Sequence, residues 1–139
     1  MDTSALRKEK GMTAEIAMFI LPLPTRILSP NVAQATLRGR FAKASATAKY
    51  RRLAKEAVQE ECIESAPWER VTVDAEFFFK RRGRHDDENA MVSIKAAYDG
   101  IVDAGLVEDD DSEHMRKMPP KFEVDKENPR VVITVTRLS

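Results

Sequence analysis

Between Lys80 and Asp111 the chain sets two groups of carboxylates on either side of a helical pattern: Asp86, Asp87 and Glu88, then Glu108, Asp109, Asp110 and Asp111. Carboxylate oxygens, completed by water, are the donors that hard cations such as Mg²⁺ take. Each group alone has an ordinary reading. Asp86 to Glu88 follow Gly83 and precede the apolar period, where acids suit the N-terminus of a helix. Two such groups folded onto one another would repel unless a cation sat between them. The pair of clusters therefore points to a metal-dependent site for phosphodiester chemistry.

The segment between the clusters must position them. At about 100° per residue, Met91, Ile94, Tyr98, Ile101 and Val102 form one apolar stripe, with Glu88, Lys95 and Asp99 along its edge. Lys95 has two readings. It is either an i,i+4 partner of Asp99, worth roughly 0.2 to 0.5 kcal/mol, or a cation that offsets charge on a phosphate under attack.

Read in order, Asp86-x-Glu88-Asn89, Lys95, Asp99-Gly100-Ile101, Gly105 and Asp109-Asp110 resemble the RusA-like Holliday junction resolvases of phage type. That family carries an Asp-x-Asp-Asn motif, a lysine on the following helix, a DA(L) or DG(I/L) step and a closing Asp-Asp pair. The resemblance covers nearly all of the chain after residue 15. It implies Mg²⁺, with Mn²⁺ as a substitute, held by Asp86, Glu88 and Asp110, with Lys95 assisting catalysis. It also implies a homodimer that resolves four-way junctions or other branched DNA by paired nicks, in the cytoplasm of a bacterial cell and encoded by a phage or prophage. Two positions depart from the family pattern. Glu88 stands where Asp is usual, and Lys95 lies seven residues after that acid, where the shorter family pattern has four. The difference, just under one helical turn, keeps the lysine near the same face and moves it about 4.5 Å along the axis. These departures are the warrant for a rival reading, a branched-DNA binding protein with little or no cleavage. In a third reading the chain is a globular interaction domain whose acidic clusters are solvated helix ends.

Composition sets the frame. A chain of 139 residues, 42% apolar and 33% charged, suits one soluble domain with a single core. The 23 bases balance the 23 acids, yet the charge is segregated. Arg26, Arg38, Arg40, Lys43, Lys49, Arg51, Arg52 and Lys55 follow one another with no acid between them, so neutrality does not exclude nucleic acid. With Cys62 as its single cysteine, the chain makes no internal disulfide and no cysteine-rich zinc site. The longest apolar run, Ile16 to Leu23, is too short to span a bilayer, so no membrane partner is expected.

Residues 1 to 14 read as a flexible polar tail and 15 to 139 as one nuclease domain. Ile16 to Leu21 is apolar on both faces and reads as a well-covered strand, ended by Pro22 and Pro24. Pro30-Asn31 is a turn pair, and the resemblance adds that Asn31 lies close to the site. Residues 32 to 45 read as a basic loop able to order against phosphates through Arg38, Arg40 and Lys43. A helix is expected from about Thr47, with Lys49, Arg51 and Arg52 in its first half and Glu60, Glu61 and Glu64 towards its end. That polarity opposes the helix dipole, and an anion near the helix start would account for it.

Arg70 to Lys80 alternates as a strand and delivers Arg81, Arg82 and Arg84 to the acidic motif, where they could hold DNA. His85, beside Asp86, reads as an accessory contact, and neither it nor His114 is needed by a hard cation. Met115 to Phe122 reads as an edge strand interrupted by Pro119 and Pro120, and Arg130 to Arg137 as a final strand forming a hairpin with it. The order strand, helix, strand, helix, strand, strand gives a two-layer α/β (α+β) domain with a mixed sheet and two main helices.

Overall fold

Alternating apolar residues build the sheet. The computed structural model describes residues 15–29 and 36–139. Strand β1 (Ile16–Leu21) buries Ala17, Phe19 and Leu21, while Met18 and Ile20 remain 47% and 61% exposed. The sequence suggested cover on both faces. Instead β1 lies at the sheet's edge, and burial alternates along β1, β2 (Val71–Phe79) and β5 (Arg130–Arg137), as in a sheet packed on one side.

β5 lies between β1 and β2 and is antiparallel to both, with Ile20 opposite Val132 and Ala75 opposite Ile133. On the other side of β2, β3 (Met115–Lys117) pairs with Val71 to Val73 and β4 (Lys121–Val124) with Glu76 to Phe79, both parallel. They form one edge interrupted at Pro119 and Pro120, which have no N–H to give a ladder. The expected terminal hairpin is therefore corrected, because β4 and β5 lie on opposite sides of β2. The central position buries Val131, Ile133 and Val135 completely, which an edge hairpin would not do.

The first helix, α1 (Leu37–Glu60), begins well before Thr47 and includes Arg38, Arg40 and Lys43, which the sequence suggested were in a loop. Thr36 caps it, its Oγ1 accepting from Gly39 N at 3.0 Å. The strong helix formers Ala42, Ala44, Ala46 and Ala48 outweigh the roughly 1 kcal/mol cost of Gly39. Its first turn holds no acid and its last no base, so the reversed polarity is real.

The second helix is divided. α2 (Asp87–Ser93) and α3 (Lys95–Asp103) meet at Ile94, whose backbone (φ −107°, ψ 11°) leaves the helical region. Ser93 Oγ donates to Ala90 O at 2.7 Å, a local bond of the kind that bends helices, and Ile94 is fully buried. Glu88 and Lys95 therefore stand on separate helices rather than along one edge. The small residues Ala96, Ala97 and Gly100 let α3 approach α1 closely. Trp68, Phe77, Tyr98, Ile101 and Met115 fill the core, and among the described residues no charged side chain is buried. No described helix is long and apolar enough to cross a membrane.

Candidate functional site

The closing acidic cluster is held by the way α3 ends. Gly105, at φ +81°, takes the left-handed conformation that terminates a helix, and its N–H donates to Val102 O at 2.9 Å. Leu106 and Val107 then enter the core beside Trp68, whose backbone N–H donates to Leu106 O at 2.7 Å. The chain emerges with Glu108 to Asp111 next to α3.

Three neighbouring aspartates have three different tasks. Asp109 Oδ1 accepts from Asp110 N at 2.7 Å. Asp111 Oδ1 accepts from Glu113 N and His114 N at 3.0 Å each, and lies 2.7 Å from His114 Nδ1. Both therefore serve the loop. Asp110 turns to α3, where its carboxyl comes within hydrogen-bond reach of Asp99. Burial, and then the charge of Asp110, push Asp99 above the ordinary carboxylate range, while Arg51 and Lys95 pull it back.

Bases surround this acid pair. Lys117 Nζ donates to Asp110 O at 3.1 Å, lies 3.8 Å from its Oδ2, and sits 5.0 Å from the centre of the Tyr98 ring. Arg51 grips Asp103 with two bonds of 2.5 and 2.8 Å. Those bonds chiefly drive the Arg51 pKa up, with further help from Asp99 and Asp110. The sequence placed Asp99 on the helix edge with Lys95 and in an Asp-Gly step but gave it no role in the site, and it missed Lys117. Lys117 carried a weak signal, in that it shares a strand face with buried Met115.

Asp111 and His114 respond to pH in opposite senses. Its bond to Asp111 lifts His114 above 6.5, so its contribution is complete below that pH and is lost as pH rises through the folded value. The same bond depresses Asp111 below 3.8, and that contribution is lost as pH falls through its folded value. The loop clasp is strongest between these limits. In a proton NMR titration the His114 midpoint is expected above 6.5, returning towards it in Asp111→Asn; an unchanged midpoint in the variant contradicts the clasp.

The first acidic cluster lies at the other end of β2. Asp86 caps α2, its Oδ1 accepting from Asn89 N at 3.0 Å, and Asp86 and Glu88 are both exposed. A cleft of about 410 Å³ beside them is lined by Arg26, Phe79, Arg84, His85, Asp86 and Asn89 among others. Asp110, in contrast, precedes β3, whose Met115 pairs with Val71 at the start of β2. The described chain thus gathers Asp99, Asp110, Lys95 and Lys117, and holds Asp86 with Glu88 apart from them.

No protein-family model matches the sequence, and no curated protein does. The carboxylates suit a hard cation by chemistry. Among the described residues, however, no three His, Cys, Asp or Glu side chains are arranged to hold one. Of the residues expected to meet DNA, Asn31 lies outside the described residues. Arg38, Arg40, Lys49 and Arg52 are exposed on α1, Lys43 is half-buried, and Arg51 is taken up by Asp103. Arg81, Arg82 and Arg84 are exposed and, among the described residues, have no acidic partner.

Proposed function

We propose that the chain is a divalent-cation-dependent endonuclease that nicks four-way junctions or related branched DNA. The observation that supports this best is the meeting of Asp99 and Asp110 with Lys95 and Lys117 beside them. Carboxylates forced together and flanked by bases suit a site that takes both a cation and a phosphate. The order of motifs that resembles RusA-like resolvases supports the same reading.

The resemblance assigns Mg²⁺, or Mn²⁺ in its place, to Asp86, Glu88 and Asp110, but among the described residues of one chain Asp86 and Glu88 stand apart from Asp110, so the three do not close on a single ion within it. When bound, such an ion polarises a phosphoryl oxygen and makes water a stronger nucleophile. Lys95 offsets charge gathering on the phosphate, Lys117 orients the Asp110 carboxyl, and the exposed arginines hold flanking phosphates. A homodimer matches the two-fold symmetry of a four-way junction, which needs two nicks. It also brings each acid group to the junction twice, so the groups that one chain holds apart reach the same DNA.

Binding in EDTA is expected to weaken steeply with salt. Replacing Arg81, Arg82 and Arg84 by Ala should lower the slope of log K against log [salt] by about 0.9 for each phosphate contact removed. An unchanged slope excludes these residues from the DNA surface. The second reading, a branched-DNA binding protein, is favoured by the distance of Asp86 and Glu88 from Asp110. Mg²⁺-dependent cutting of a branched substrate by the wild type, absent with EDTA, decides between the two.

A further inference from the structure

An aromatic ladder runs from the core to the surface just before Asp86. Phe77, 1% exposed, lies 5.8 Å from half-buried Phe79 with the rings 14° apart. The next rung is His85, whose imidazole lies flat on Phe79 at 3.7 Å and 6°. Phe122 braces both from the side, 5.9 Å from Phe79 and 5.4 Å from His85. His85 is exposed, with Gly83 close to the Nε2 and Cε1 edge of its ring.

We infer that the exposed ring of His85 is a stacking platform for an unpaired nucleobase. The inference rests on the nucleic-acid reading of the site and names what that site recognises. Charge selects the occupant. The chain leaves β2 at Phe79 and returns at His85, so Lys80, Arg81, Arg82 and Arg84 form an arch closed by the ring stack. Arg81 and Arg82 line a hollow of about 430 Å³ that His85 also lines, and Arg84 lines the 410 Å³ cleft that His85 shares with Asp86.

A base on the platform would thus have cations near its flanking phosphates. A duplex hides its base faces in its own stack, so only an unpaired base, as at a branch point or in a single strand, offers one. Base-on-aromatic stacking tolerates any sequence, and the platform therefore recognises the lack of pairing rather than the identity of the base.

The test is binding in EDTA, where nothing is cut. A short single-stranded oligonucleotide carrying 2-aminopurine is titrated with full-length protein, beside a blunt duplex of the same sequence. Wild type should quench the probe in the single strand. His85→Ala should weaken single-strand binding by roughly tenfold and duplex binding by less than about twofold, and His85→Trp should restore the single-strand affinity. An exposed side chain is removed, and circular dichroism checks that the variants are folded. Equal affinities for wild type and His85→Ala, or an equal loss on both DNAs, overturn the platform even if the protein cuts junctions. Failure of wild type to bind the single strand overturns the platform, whereas failure to cut a four-way junction with Mg²⁺ overturns the nuclease reading, so the two failures are told apart.

Discussion

Gly100→Ala is expected to cost about 3 kcal/mol and to lower the melting temperature by about 10 °C. A Cβ at residue 100 would fall on the carbonyl oxygen of Arg51, 2.8 Å from Ala54 Cβ and 3.0 Å from Lys55 N. Two of those atoms are backbone and cannot rotate away, so α1 and α3 must separate. That crossing also holds Arg51 on Asp103 and close to Asp99. The variant should therefore lose the acid pair's geometry as well as stability. Gly105→Ala is the comparison. There φ is +81° but nothing lies within 4 Å, so strain alone applies, about 1 kcal/mol. Thermal unfolding followed by circular dichroism ranks the two. A Gly100→Ala melting temperature at or above that of Gly105→Ala contradicts the packing described.

Asp110→Asn is expected to reduce divalent-dependent cleavage by about 100-fold or more, with the fold intact. Asp109→Asn and Asp111→Asn should each cost less than about tenfold. The three residues are adjacent and chemically identical, so the contrast tests the structure and not the composition. Asp109 and Asp111 bond loop amides and His114, whereas Asp110 faces Asp99 and Lys117. Equal losses in all three would mean that the loop acts only as a negative surface. Single-turnover cleavage rates, with circular dichroism to confirm folding, make the comparison.

Period-two alternation made β2 and β5 legible, and the two prolines marked the broken edge correctly, because these signals are local and repeat over several residues. Elements whose placement depends on distant partners were not legible. Nothing near Arg130 announces that β5 inserts between β1 and β2, and nothing in Ile16 to Leu21 shows which face stays open. The start of α1 was obscured by Gly39 and the bases around it, although Thr36 and the alanines carry the signal. The break at Ile94 hid within an unbroken apolar stripe.

The site divides in the same way. Acid clusters and a lysine are visible as residue types. The choice of Asp110 over its neighbours depends on which carboxylate the loop amides use, and the role of Lys117 depends on β3 pairing with β2. The stack of His85 on Phe79 joins residues on either side of a basic run, and no periodicity links them.

The most direct measurement is cleavage of an end-labelled synthetic four-way junction against a matched linear duplex, with Mg²⁺ and with EDTA, running Asp86→Asn alongside wild type. Paired nicks in two strands of the junction, requiring Mg²⁺ and missing from Asp86→Asn and from the duplex, are the predicted result. Tight junction binding with no nicking under any divalent condition would contradict the account and leave a branched-DNA binding protein in its place.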